Sequence, residues 1–330
     1  MSTEASINSQ DFDRSHRTRT LYLHIGIPKT ASTWLQNKIF PQLEHLHYLN
    51  CPKSNLFVSG DSPQKEKRMM EKIFKSSSQI WQGFGDTIFR DMLGDQSAWL
   101  DEGRDLLISE EMIGRQGSRP ALLAAHLRKM KLKAFEWGFD RFSIICMIRR
   151  QDHWLASHYA QISDRLQNSG QSDFEKFVQE VASPRKSRYG FGMLLDYNIL
   201  YDHLIEVSGN DNLLILPYEL LKDTPGTFLN LILQNLDTPE DKVKSICTST
   251  TNKKANVRSE QENEVWKLRD THNRKVKRLL HRWLLQEKNQ TIEITPDLKN
   301  IIHRAYSIGN QKLAAKTDLA LEQYGYIRFE

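Results

Sequence analysis

The stretch Gly26-Ile27-Pro28-Lys29-Thr30-Ala31-Ser32-Thr33-Trp34 places one lysine and three hydroxyl residues within nine positions. Before it, residues 21–25 (LYLHI) form a short apolar run rich in strand formers. After it, residues 32–40 (STWLQNKIF) read as a helix stopped by Pro41. A loop that leaves a buried strand and enters a helix presents several unpaired backbone N–H groups, and the helix dipole adds partial positive charge there. Lys29, Thr30, Ser32 and Thr33 could therefore wrap a phosphate or sulfate in N–H and O–H donors and one ammonium. The order of residues is not that of a Walker A loop, which needs four residues between two glycines and then Lys-Ser/Thr. The alternative is an ordinary strand-to-helix turn with Ser32 or Thr30 as N-cap. The loop alone leaves both open.

A second pattern lies in Ile148-Arg149-Arg150-Gln151-Asp152-His153-Trp154-Leu155-Ala156-Ser157. Arg149 ends a continuous apolar run, residues 142–148 (FSIICMI), of the kind expected for a strand buried on both faces. Ser157 follows eight residues later on a helix expected from about residue 152 to 166. An arginine fork and a hydroxyl one or two turns into the next helix can close on the same phosphate. In isolation, an arginine after a strand and a serine on a helix surface are commonplace. Two such patterns at the ends of two strands are less so, because ligands in open α/β sheets sit at the carboxyl ends of strands.

The elements that would position these residues repeat one theme. Residues 46–49 (LHYL) read as a second strand, 106–109 (LLIS) as a third leading into Glu110-Glu111, and 213–216 (LLIL) as a fifth before Pro217. Residues 121–131 and 197–207 look helical. Residues 53–104 read as polar and irregular, with one helix around 66–74. Strands alternating with helices predict an α/β fold with a parallel sheet flanked by helices. The tail reads as helical: Val276, Leu279, Leu280, Trp283 and Leu284 follow a helical apolar stripe interleaved with basic residues, and a solvated basic face is its plain reading. Residues 1–19 read as a disordered leader, and 20–330 as one domain whose part from about 259 on is helical.

The chain has 330 residues, 39% hydrophobic and 26% charged, enough for a real core. A net charge of +5 suits an anionic ligand but is too weak to announce a nucleic-acid binder. Cys51, Cys146 and Cys247 lie far apart, which argues against a disulfide framework or zinc site and fits a reducing compartment. No run approaches the length of a spanning helix, and the polar start is not a secretory signal. The expectation is a soluble, cytoplasmic protein without a metal, whose basic surface leaves peripheral membrane contact open.

The sequence HIGIPKTASTWLQ resembles the sulfotransferase superfamily, especially bacterial members whose loop reads like H-I-G-x-P-K-T-G-T-T-x-L-Q. In that family the loop binds the 5′-phosphosulfate end of PAPS (3′-phosphoadenosine 5′-phosphosulfate). The resemblance makes Lys29, Thr30, Ala31, Ser32, Thr33 and Trp34 donor contacts, with Lys29 also neutralising charge on the leaving-group side. The usual glycine is Ala31 here. As that residue opens a helix, a negative φ is expected, with alanine tolerated. Ile148 to Tyr159 is similar to the family's 3′-phosphate segment, which makes Arg149 and Ser157 its contacts. The usual R-N-P is R-R-Q, and the eight-residue spacing favours Arg149 over Arg150 as the inward residue. Residues 197–223 resemble a stretch that is mainly scaffold. Asn256-Val257-Arg258-Ser259 sits where relatives close a loop over the 3′-phosphate, so Arg258 or Lys254 could add charge.

Sulfuryl transfer needs a base for the acceptor proton. Ile108-Ser109-Glu110-Glu111 resembles a family segment of the form I-S-S-E, which favours Glu111 with Glu110 behind it. Either could instead cap a helix or pair with Arg115. His47 is the alternative base, and His24 fits better as a packed core group or a support behind the loop. The resemblance implies a PAPS-dependent sulfotransferase with the family's P-loop-like fold, releasing PAP (3′,5′-diphosphoadenosine). Its acceptor would be a hydroxyl, or less often an amine, of a carbohydrate, glycolipid or small metabolite. Residues 53–104 and 160–190 would supply the acceptor wall. The rivals are a nucleotide or metabolite kinase, and a non-catalytic nucleotide- or glycan-binding protein of the same fold.

Overall fold

The computed structural model describes residues 18–50, 69–166, 168–183, 194–251, 264–269 and 291–327. Five strands, β1 (Thr20–His24), β2 (Leu46–Asn50), β3 (Asp105–Ser109), β4 (Arg141–Ile148) and β5 (Leu213–Pro217), form one sheet in the order β2-β3-β1-β4-β5. Every neighbouring pair is parallel. β1 is central, with β3 on one side and β4 on the other, so the connections after β1 depart from the sheet's switch point. Hence the carboxyl ends of all five strands lie along one edge, and both sequence patterns are on it.

Alternation along each strand divides the core in two. Leu21, Leu23, Ile25, Leu106, Ile108, Ile144, Cys146 and Ile148 belong to one apolar cluster. Tyr22, Leu107, Ile145 and Met147 face the other. Both faces are covered, which is why these strands read as unbroken apolar runs. The first face is covered by α2 (Met69–Lys75), α3 (Ile80–Leu93), α4 (Gln96–Glu102), α6 (Pro120–Glu136), α7 (Gln151–Ile162), α8 (Gln171–Val181), α9 (Tyr197–Ser208) and α13 (Pro296–Lys316). The second is covered by α1 (Ser32–Trp34), α10 (Tyr218–Asp223), α11 (Pro225–Asn235) and α12 (Glu240–Thr251). The short α5 (Glu111–Gly114) lies at the sheet edge after β3.

Three sequence expectations are corrected. The helix after the first loop starts at Ser32 but does not stop before Pro41. α1 (Ser32–Trp34) widens into a π-helical turn, Leu35–Ile39, and tightens into a 3₁₀ turn, Phe40–Gln42, that contains Pro41 near its start. A proline there lacks only an N–H that the first turn does not use. The second correction is the segment read as irregular. Its described part, 69–104, holds three helices, of which α3 buries Trp81, Ile88, Phe89 and Met92 along one face. The third concerns Ala31, treated below with the site.

Within the part read as helical, β6 (Val265–Lys267) and β7 (Thr291–Glu293) pair antiparallel. The basic stripe around Val276–Leu284, Lys254, Arg258 and the leader up to residue 17 lie outside the described residues. Among the described residues no helix is long and apolar enough to cross a membrane.

Candidate active site

The loop after β1 is held in an unusual backbone state. Lys29 has φ 73° and Ala31 φ 66°, both left-handed, while Thr30 between them is not among the positive-φ residues. This overturns the expected negative φ at Ala31. Such alternation turns successive backbone N–H groups to one side, the arrangement of an anion-binding nest. For a non-glycine residue the left-handed state costs about 1–2 kcal/mol. Ala31→Gly is therefore expected to raise stability by about 1 kcal/mol, read as a higher urea midpoint at unchanged slope. An unchanged midpoint would mean that the left-handed turn carries no strain.

Contacts from within and from across the sheet hold the turn. The Thr30 hydroxyl donates to the Ile27 carbonyl at 2.5 Å. Arg149 Nη1 donates to the Lys29 carbonyl at 2.9 Å, and Trp154 Nε1 donates to the Pro28 carbonyl at 2.7 Å. Neither Thr30 nor Ser32 caps α1. The cap position is Ala31, with no side-chain cap bond, so the ordinary-turn reading is not what forms. The Trp34 N–H already donates to the Ala31 carbonyl at 2.9 Å. Ser32 Oγ is buried without a hydrogen-bond partner among the described residues.

Two glycines allow close approach. A Cβ on Gly26 would fall 2.0 Å from Ser32 Oγ, so the hydroxyl lies directly over that backbone. A Cβ on Gly114 would fall 2.4 Å from the Gly26 carbonyl oxygen, so α5 rests on the loop. Gly114→Ala is expected to destabilise by about 1–3 kcal/mol through this overlap with backbone. Chemical denaturation checks it, and a neutral result would show that α5 does not touch the loop.

Glu111 lies three residues before Gly114, on the same side of the α5 turn, and is half-buried. Glu110 is fully buried and caps α5: its Oε1 accepts from the Met112 N–H at 3.0 Å. Its own N–H donates to the His24 carbonyl at 3.1 Å. Of the two acids, Glu110 is thus the structural cap, and Glu111 is the first residue of the turn that rests on the loop through Gly114.

Arg149 is the inward arginine. It is 4% exposed, and its guanidinium lies 4.8 Å from the Tyr218 ring centroid. The Tyr197 hydroxyl donates to its carbonyl at 2.6 Å. Arg150 turns away, with Nε 2.7 Å from Asp152 and Nη2 3.6 Å from Glu264. Ser157 is half-buried on α7, three residues beyond the Trp154 that reaches the loop.

The surroundings are cationic. Burial pushes His158 down to about 4, and Arg115, Lys29 and Arg165 push the same way. Burial likewise holds His153 at about 4; Asp152 opposes this, while Arg150, Arg149 and Lys222 reinforce it. Both rings therefore stay neutral near neutrality. Lys222, with its amine 5.6 Å from the same Tyr218 ring, is lowered by burial first and then by Arg149. Tyr218 and Lys222 thus gather beside Arg149, which reading residues 197–223 as scaffold did not anticipate; the position of Tyr218 directly after β5 was the available signal.

His47 is not brought to this end. It pairs with Leu106 near the start of β3, and its ring meets Trp99 at 5.5 Å.

No family model matches the chain, and no curated protein does. Solved structures do. A sulfotransferase from Alicyclobacillus acidocaldarius is similar at TM-score 0.51 and 11% identity, covering 93% of this chain and 99% of that one. The sulfotransferase domain from the curacin biosynthetic pathway is similar at TM-score 0.36 and 12% identity, over 69% of this chain and 77% of that one. A mouse sulfotransferase complexed with PAP is similar at TM-score 0.34 and 14% identity, over 71% of this chain and 64% of that one. With the strand order and the near-complete coverage of the first of these, the architecture is that of the sulfotransferase fold.

Proposed function

We propose that this chain is a PAPS-dependent sulfotransferase, moving a sulfuryl group to a hydroxyl or amine of a carbohydrate, glycolipid or small-metabolite acceptor. The carrying observation is the 2.9 Å hydrogen bond from Arg149 to the Lys29 carbonyl. It joins two segments that sequence singled out separately, at one point of the edge where such sheets bind ligands.

The residues present fit the donor. The left-handed turns at Lys29 and Ala31, the close approach at Gly26 and the buried Ser32 hydroxyl make a cradle for a tetrahedral anion. PAPS supplies the sulfuryl group when bound; the chain positions groups and stabilises charge. Lys29 neutralises charge on the leaving-group side. Backbone N–H groups of residues 29–33, with the Ser32 and Thr33 hydroxyls, hold the anion. Thr30 contributes through its backbone, since its hydroxyl proton is engaged on Ile27. Arg149 and Ser157 serve the 3′-phosphate end, and Arg149 also anchors the loop. Arg258 would add charge there. Glu111 accepts the acceptor's proton, while Glu110 holds α5 and His47 lies outside the constellation.

The test compares thermal shifts with PAP and with ATP plus magnesium, followed by transfer from labelled donor to a panel of acceptors. A shift with PAP together with labelled product is the expected result. A response to ATP and magnesium alone would favour a kinase. PAP binding without transfer to any acceptor would favour a non-catalytic binding protein.

A further inference from the structure

We infer that His24, Ser109 and Gln36 form a buried hydrogen-bonded strut that ties together the two stems of the 26–34 loop, making all three positioning residues for the donor site. Only the donor part of this inference rests on the sulfotransferase reading.

His24 is the last residue of β1, and Gln36 lies in the π-helical turn that follows the loop. They are twelve residues apart and bracket the loop. Ser109, the last residue of β3, joins them: its Oγ is 2.6 Å from His24 Nδ1 and 3.0 Å from Gln36 Nε2. All three are buried.

The orientation of the Gln36 amide follows from elimination. Gln36 Nε2 also faces the Ser109 carbonyl at 3.4 Å, and a carbonyl only accepts, so the amide presents its NH₂ to Ser109. Ser109 Oγ therefore accepts from Gln36 and shares one proton with His24 Nδ1 across the 2.6 Å contact. Burial pushes the His24 pKa down to about 3, so the ring stays neutral near neutrality.

The strut supplies what the other loop contacts do not. Arg149 and Trp154 hold Lys29 and Pro28 from the β4 side. The strut holds the loop's beginning and end from the β3 side. His24 Cε1 lies 3.4 Å from the point a Cβ on Gly26 would occupy, so the ring packs against the backbone that Ser32 Oγ covers.

Hydrogen exchange of the ligand-free full chain tests the strut without any assay of turnover. In Ser109→Ala, amides of residues 27–35 are expected to exchange about tenfold faster or more, with α9 and α11 unchanged. Donor KM should rise about tenfold while acceptor KM holds. His24→Asn, which keeps a hydrogen-bonding amide at the Nδ1 position, should preserve loop protection; His24→Gln, which moves its amide to the Nε2 position, should not. Gln36→Met provides a second route should Ser109→Ala fail to fold, with the same expectation for residues 27–35. Unchanged loop exchange in the folded variants, or equal acceleration in α9 and α11, would overturn the strut. Loop-confined acceleration in a chain that does not bind PAP would uphold the strut and remove the donor reading.

Discussion

Lys29→Ala is expected to lower kcat/KM for sulfuryl transfer by about 10²–10³-fold, the range seen when one preorganised charge-stabilising donor is removed. The prediction is specific because the backbone should hardly respond. Lys29 already sits at φ 73°, where alanine and lysine are strained alike, and its carbonyl remains available to Arg149. Stability should stay within about 0.5 kcal/mol, as for a substitution outside the core. Steady-state kinetics with labelled donor, beside a denaturation curve, separates the two effects. Wild-type turnover in the variant would exclude Lys29 from the site and remove the main support for the proposed function.

Glu111→Gln is expected to reduce transfer by about 10²–10⁴-fold while PAP affinity stays within about twofold. The carboxamide keeps the shape but cannot take a proton. The neighbouring acid is the control: Glu110 is buried as the cap of α5, so Glu110→Gln should act mainly on stability and on how α5 seats against Gly26. If the Glu111 variant turns over normally, the base is another group. If Glu110→Gln alone abolishes transfer in a stably folded protein, the two roles are reversed.

Much of this arrangement was legible in the chain. The apolar runs gave the strands because both faces of the sheet are covered, which removes polar alternation. The eight-residue step from Arg149 to Ser157 was readable because one strand end and one helix start fix it locally. The helices α3 and α4 were not legible. Glycines at 83, 85 and 94 punctuate that region, and the Lys133 stem from α6 packs against α3 because Gly85 lacks a Cβ, which would fall 2.8 Å from it. That Glu110 is the acid drawn inward as the cap of α5 was also hidden, since adjacent acids differ only in which one the short turn buries.

The order of residues was enough to settle which strands build the parallel sheet and which loop gathers a lysine with hydroxyls, because composition acts over a short run of chain. The sign of φ at Lys29 and Ala31, the seating of α5 on Gly26 and the exclusion of His47 from the edge were decided only by the fold. Each depends on contacts made across the sheet. Arg149 lies 120 residues from Lys29, and Trp154 lies 126 from Pro28. A backbone held against its local preference by partners so distant leaves no trace in the residues that adopt it.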